Sequence, residues 1–270
     1  RKQYVLVPDR FSLNMEKMVM ESLNLVSTFD VEVLSFSRLA NMVIGKQDKK
    51  VLGMLDATLI VEFLIKKNKD KLVCFNNMPI TASFAKILFD SISQIKSCKI
   101  SPEKLKRITK GLPNGNLRQK MGDIALVYEL YENYIQEKFI DSNNKLGLLC
   151  EKLCQSRIFE GCDVHFSNFP DFSLQDYDII ENAIKCAGSV SITILSAEEN
   201  QNNSDVYTQT VKTKIDEICE KLGITPQVAK CENQFSNTQR HISQQLFSVI
   251  PQKIELQNTK EVQLFWCDNM

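Results

Sequence analysis

The chain has 270 residues, 33 of them basic against 33 acidic, and 43% are hydrophobic. That length suits one large or two modest domains of about 100–200 residues each, and the apolar content excludes a mostly disordered chain. Balanced charge excludes a globally basic nucleic-acid binder while allowing local basic patches, and no apolar run approaches the ~18 residues of a membrane-spanning helix.

Tyr4-Val5-Leu6-Val7 is a short β-rich run that stops at Pro8-Asp9, the pattern of a buried strand ending at a functional edge. Ser12 offers an N-cap to a helix with Met15, Met18, Val19 and Leu23 as its apolar stripe. Val31 to Leu34 predicts a second strand, and Ser35 a cap for a helix through Phe36, Leu39, Ala40 and Val43. Strand–helix–strand–helix within 45 residues is the grammar of a parallel sheet with crossover helices.

From Val51 to about Gln155 the period becomes helical. Leu52, Leu55, Leu59 and Phe63 form one stripe, and Phe84, Ile87, Leu88, Ser91, Ile92 and Ile95 another. Ile124, Val127, Tyr128, Tyr131, Tyr134 and Ile135 form a third. Pro79, Pro102 and the Gly111–Gly115 turn punctuate them. The α/β grammar then returns. Asp163 to Phe166 predicts a strand, Leu174 to Ala187 a helix, and Val190 to Leu195 an alternating strand. A polar loop from Ala197 to Asp205 leads to a helix through Val211, Ile215, Ile218 and Leu222, and Val262 to Trp266 predicts a last strand. The expected organisation is an α/β domain in two parts, 1–45 and 158–270, around an all-helical insertion at 46–157.

The nine cysteines are odd in number and widely spread, which favours reduced thiols in a cytoplasmic protein. Cys150 and Cys154 share a helical face but have no second pair nearby, so they read as core cysteines rather than metal ligands. His165 and His241 stand alone and read as structural or surface residues. No signal peptide precedes the first strand, and a first residue other than Met suggests a piece of a longer protein. Only nine glycines occur, and none forms GxGxxG or GxxxxGK[ST]. No HExxH, GxSxG or paired-carboxylate turn is present either. Residue chemistry alone therefore yields a soluble α/β domain with a helical insertion and no catalytic constellation.

Two stretches are more distinctive than their composition: Val5-Leu6-Val7-Pro8-Asp9-Arg10-Phe11-Ser12-Leu13-Asn14-Met15-Glu16 and Val33-Leu34-Ser35-Phe36-Ser37-Arg38-Leu39-Ala40. Together they resemble the start of AddB-type subunits of the bacterial AddAB helicase–nuclease, as degenerate forms of helicase superfamily 1 motif Ia and the "TFHSLA" segment after it. Phe166-Ser167-Asn168-Phe169-Pro170-Asp171-Phe172 falls where helicases of that superfamily carry "DEFQD". Phe169 and Asp171 match. Ser167 and Asn168 stand in place of the Mg²⁺-binding Asp and the catalytic Glu, and neither a hydroxyl nor an amide replaces those carboxylates. The resemblance covers residues 3–45 and 160–200 well and the remainder only by pattern.

The resemblance implies a RecA-like parallel sheet of an inactive motor-like domain, and a phosphate loop just upstream of Arg1. It also implies an AddA-type partner that supplies the motor, and a DNA channel. ATP, Mg²⁺ and an iron–sulfur cluster would belong to the parent subunit, with the cluster's ligands largely beyond Met270 and no cofactor in this chain. Carried over, the single-strand contacts fall on Asp9, Arg10, Phe11 and Ser12 and on Ser35, Phe36, Ser37 and Arg38. The competing reading makes the two Phe core staples and the two Ser helix caps. A second candidate surface is the basic run Lys96, Lys99, Lys104, Lys106, Arg107 and Lys110, with Arg118 and Lys120. Its competitor is a solvated helix face. The expected function is a non-catalytic, helicase-like scaffold in double-strand break repair that scans single strands for a Chi-type signal. The alternatives are an active translocase lacking its phosphate loop and a stand-alone interaction domain.

Overall fold

A computed structural model describes residues 1–24, 26, 29–45, 49–194 and 205–229, together with 238, 241, 242, 245, 252 and 253. The chain divides into two compact units, Arg1–Ile194 and Leu195–Met270. In the first, β1 (Gln3–Leu6), β2 (Val31–Leu34), β5 (Asp163–Phe166) and β6 (Ser189–Ile192) form a four-stranded sheet in the order β2-β1-β5-β6. Every pairing is parallel, with Leu6 beside both Leu34 and Phe166. Helices α1 (Ser12–Leu23), α2 (Phe36–Ile44) and α8 (Leu174–Cys186) are its crossovers. The α/β grammar of the sequence is therefore real, and β2 and β5 span the residues expected.

Helix α1 departs from expectation. Its start is a 3₁₀ turn at Asp9–Phe11, and Ser12 does not cap it: the Ser12 hydroxyl donates to the Asp9 carbonyl at 2.9 Å. Met18 and Leu23 of the expected stripe are exposed. Ser35 does cap α2, its hydroxyl accepting from the Arg38 N–H at 3.3 Å.

The central region holds β3 (Lys50–Val51), α3 (Met54–Lys67), α4 (Ala82–Ser97), α5 (Pro102–Gly111), α6 (Asn116–Ile135), β4 (Phe139–Ile140) and α7 (Ser142–Lys152). Strands β3 and β4 pair in parallel and bring the two ends of the insertion together. Helices α3 to α6 share a core built on Val61, Ile65, Phe89, Ile92, Val127 and Tyr131. Helix α7 belongs elsewhere: Leu149 and Leu153 join the core of the sheet with Leu6, Leu39, Phe166 and Ile180.

Of the first stripe, Leu52, just ahead of α3, is buried as expected, but within the helix the stripe is reversed. Leu55, Leu59 and Phe63 are 80%, 62% and 50% exposed, while Ala57, Val61, Leu64 and Ile65 face the core. Both faces of this helix are apolar, so its period fixes a helix but not which side is buried. Of the third stripe, Tyr134 is exposed and the other five residues are buried. Ile87 of the second stripe is exposed as well.

Two buried polar devices hold this region. Asp123, on α6, accepts from the backbone N–H groups of Val73, Cys74 and Phe75 at 2.9, 2.7 and 2.9 Å, anchoring the segment between α3 and α4. Lys96, at the end of α4, donates to Glu132 of α6 at 2.5 Å and to Asp141, the N-cap of α7, at 2.6 Å. These bonds tie the helical core to a helix of the α/β core. Burial raises the pKa of the Tyr131 phenol beside this cluster.

The cysteine reading needs correction. Cys154 lies on the surface, beyond the end of α7, and is joined by a disulfide to Cys186 at the end of α8. The free cysteines among the described residues are Cys74, Cys98, Cys150, Cys162 and Cys219. Cys150 is partly buried, and burial pushes its thiol up to about 12. His165 meets the Ser191 hydroxyl at 2.6 Å across the β5–β6 pair.

In the second unit, α9 (Asp205–Lys221) buries Val211, Ile215 and Cys219 along one face. The expected strand Val262–Trp266 and the 197–204 loop lie outside the described residues. Among the described residues no helix is long and apolar enough to cross a membrane.

Candidate nucleic-acid interface

Parallel strands end together, and the loops that leave their carboxyl ends share one edge. Here the register sets Leu6, Leu34 and Phe166 side by side. The segments that follow, Asp9–Ser12, Ser35–Arg38 and Ser167–Asp171, thus emerge at the same edge. Three further backbone bonds extend it: Val7 N–H to Leu34 O at 3.0 Å, Ser167 N–H to Leu6 O at 2.9 Å, and Thr193 N–H to Phe166 O at 2.9 Å.

Within the edge, the first two segments bind each other. The Ser37 hydroxyl donates to Asp9 Oδ2 at 3.1 Å, and Arg38 pairs with Glu16 of α1 at 2.7 Å. Arg10 is exposed and lies 4.8 Å from the centroid of the half-buried Phe11 ring. A guanidinium over an aromatic face is held by the ring's negative π-surface. Ser12 and Ser35 are buried and spend their hydroxyls on local backbone. Of the residues named from sequence here, Arg10 and Phe11 are the pair that presents charge and ring together.

Phe36 takes part in an arrangement that the sequence does not announce. Its ring stacks on Phe169 at 5.1 Å and reaches Phe166 at 6.3 Å; Phe169 continues to Phe172 at 4.9 Å, and Phe172 to Tyr177 at 5.7 Å. This ladder, half-buried at Phe36, Phe169, Phe172 and Tyr177 and rooted in the core at Phe166, lies beside the Ser167–Asp171 loop. Its signal in the sequence is the repeat of Phe at 166, 169 and 172, which a motif comparison alone treats as a degenerate match.

In that loop Ser167 is half-buried, and Asn168 is exposed in a left-handed conformation, φ 62°. Asp171 is exposed too. The donor set is a hydroxyl, an amide and one solvated carboxylate. Mg²⁺ held with ATP demands hard anionic oxygens in near-octahedral array, and this set does not fit it. Among the described residues no group of three or more His, Cys, Asp and Glu is close enough to hold a metal ion.

The basic run is broken up by its surroundings. Lys96 is buried in its ion pairs, Lys99 pairs with Asp178, and Lys106 pairs with Glu129 at 2.5 Å. Lys104, Arg107, Lys110 and Lys120 are exposed. A hydrogen bond from Ser101 holds the exposed Glu103 carboxyl below its ordinary pKa, helped by Lys106 and Arg107. What remains is a sparse set of cations rather than a continuous stripe.

A family model described as "ADDB, N-terminal" matches residues 1–250 of the chain. The chain belongs to the AddB N-terminal family. Among its relatives, the B subunit of the ATP-dependent helicase/deoxyribonuclease of Clostridium kluyveri is 30% identical over 281 residues, covering 98% of this chain and 24% of that protein. The proteins of the same name from Thermoanaerobacter sp. and Clostridium botulinum are 26% and 28% identical, covering 98% and 97% of this chain and 24% of each relative. The chain thus spans about a quarter of the length of the AddB relatives it matches.

Proposed function

We propose that this chain is a helicase-like, non-hydrolysing N-terminal region of an AddB-type subunit that guides DNA through a complex whose motor is an AddA-type partner. The parent assembly would be an ATP-dependent helicase–deoxyribonuclease that resects double-strand breaks for recombination. On this reading the sheet is a RecA-like motor domain that has lost its chemistry, and the iron–sulfur cluster and the ATP sites lie outside this chain. Its sheet edge tracks the single strand and contributes to scanning for a Chi-type signal.

The observation that carries the reading is the gathering of the three motif-like segments at one carboxyl edge of a parallel sheet, where α/β folds bind their ligands. Arg10 over Phe11 supplies a cation and a ring of the kind that holds a nucleotide by phosphate and base. Serine and asparagine at 167 and 168 support a scaffold rather than an ATPase. The test is single-strand binding by fluorescence anisotropy across a salt series, with Arg10→Ala and Phe11→Ala. Loss of about 1–3 kcal/mol for Phe11→Ala, and a salt slope shallower by about 1 for Arg10→Ala, support the reading. Binding by both variants equal to wild type would remove the sheet edge from the DNA path.

A further inference from the structure

We propose that the helical insertion carries a second DNA contact: a cleft lined by Lys71, Lys110 and Arg118 that holds the backbone phosphates of duplex DNA. The proposal rests on the DNA-guiding reading above but concerns a different surface. The cleft has a volume of about 480 Å³, and its three cations come from three separate places in the fold. Lys71 ends the 3₁₀ turn after α3, Lys110 sits in the last turn of α5, and Arg118 in the first turns of α6. Only Lys110 and Arg118 belong to the basic run visible in sequence; Lys71 joins them through the fold.

The electrostatics favour an anion. Among the described residues Asp123 is the one acidic side chain in the lining, and both of its oxygens are engaged by the Val73, Cys74 and Phe75 N–H groups. It is 3% exposed, so it neutralises backbone dipoles rather than the cations above it. Among the described residues Lys71 and Lys110 enter no ion pair. Arg118 is oriented by one bond to Asn114 Oδ1 at 2.6 Å, which leaves further N–H donors of its fork free. No aromatic ring of the described residues lines the cleft. A cationic concavity without a stacking platform suits regularly spaced phosphates rather than unstacked bases, hence duplex rather than single strand.

The experiment compares wild type with the charge-reversed triple variant Lys71→Glu/Lys110→Glu/Arg118→Glu. Binding of a short blunt duplex, and of a single strand of equal length, is measured by anisotropy from ~50 to ~200 mM salt. The expected result is a loss of duplex affinity of about tenfold or more, with the slope of log K against log salt shallower by about 2–3. Single-strand binding should be much less affected. A milder variant with Gln at the three positions should show the same direction with an unchanged circular dichroism melt, which separates the effect from misfolding. Duplex binding with an unaltered salt slope would overturn the proposal, as would wild type failing to bind duplex at low salt. In either case the sheet-edge reading stands or falls separately, on single-strand binding and its response to Arg10→Ala.

Discussion

Replacing Lys96 by Met is expected to be among the most destabilising single changes in the first unit. The Lys96 side chain is 4% exposed, and its ammonium serves Glu132 at 2.5 Å and Asp141 at 2.6 Å. Met fills similar space, so little packing is lost. What the change leaves is Asp141, 2% exposed, with one oxygen held by the Asn144 N–H at 2.8 Å and the other without its cation. Stranding one member of a buried pair costs about 3–5 kcal/mol. With a urea m-value of about 2 kcal/mol/M, the midpoint should fall by about 1.5–2.5 M. Lys96→Met/Asp141→Asn should recover much of the loss, because the stranded charge is gone, and the double-mutant cycle then measures the coupling. Hydrogen exchange should quicken first around the junction of α4 and α7, where the two cores are tied. A Lys96→Met cost below about 1 kcal/mol would refute the reasoning, since it would mean that water already screens the cluster.

Asp123→Asn keeps one carbonyl acceptor where a carboxylate served three N–H groups. It should cost about 2–3 kcal/mol, read as a drop in Tm of about 5–10 °C. Reduction of Cys154–Cys186, which spans 32 residues, should lower stability by up to about 4 kcal/mol, and a melt with and without reductant tests this. In the same protein a thiol-reactive probe at mildly alkaline pH should label exposed Cys98 long before Cys150, whose thiol burial holds near 12; equal rates would contradict the burial argument. Asp176 gives the pH test. Burial raises its carboxyl above the ordinary 3.8, so between that value and the raised one the folded chain keeps a proton that the unfolded chain has lost. Its contribution to stability therefore falls as pH rises through that window. Asn at 176 retains an acceptor for the Ser173 N–H, bonded at 2.8 Å, without a charge to desolvate. The stability of Asp176→Asn relative to wild type should accordingly grow from pH ~3 to ~7 in urea titrations, and a difference that shrinks would count against it.

What is legible in the sequence follows local rules. β2 and β5 are short runs in which Val and an apolar residue alternate with a polar one, and Ser35 is a cap recognisable from its place before an apolar helix. Arg10 and Phe11 enter only through the resemblance to helicase motif Ia, and no spacing or periodicity singles them out. Elsewhere distant partners decide the answer. Leu55, Leu59 and Phe63 have the same period as the true core face of α3, and only the packing of α4 and α6 selects between them. Lys96 looks like its neighbours until Glu132 and Asp141 arrive, 36 and 45 residues on. The two-residue strands β3 and β4 carry no periodic signal at all. The Cys154–Cys186 pairing cannot be deduced from an odd set of nine cysteines.

The β3–β4 pair also bears on the order in which the molecule is assembled. The sheet joins Gln3 to Val31 on one side and to Asp163 on the other, so the second partner of β1 is synthesised far later in the chain. Such long-range pairings make folding slow, because the intervening segment must be closed into a loop before any contact compensates for the lost freedom. The helices between Leu52 and Ile135 have a core of their own, and once they pack, Lys50–Val51 meets Phe139–Ile140. The intervening segment then behaves as a short tether, and the chain ahead of it reaches α7 and β5 across a small gap. A ladder of two residues a side, negligible as a source of stability, would then serve as a kinetic shortcut, shortening the loop that the β1–β5 pairing has to close.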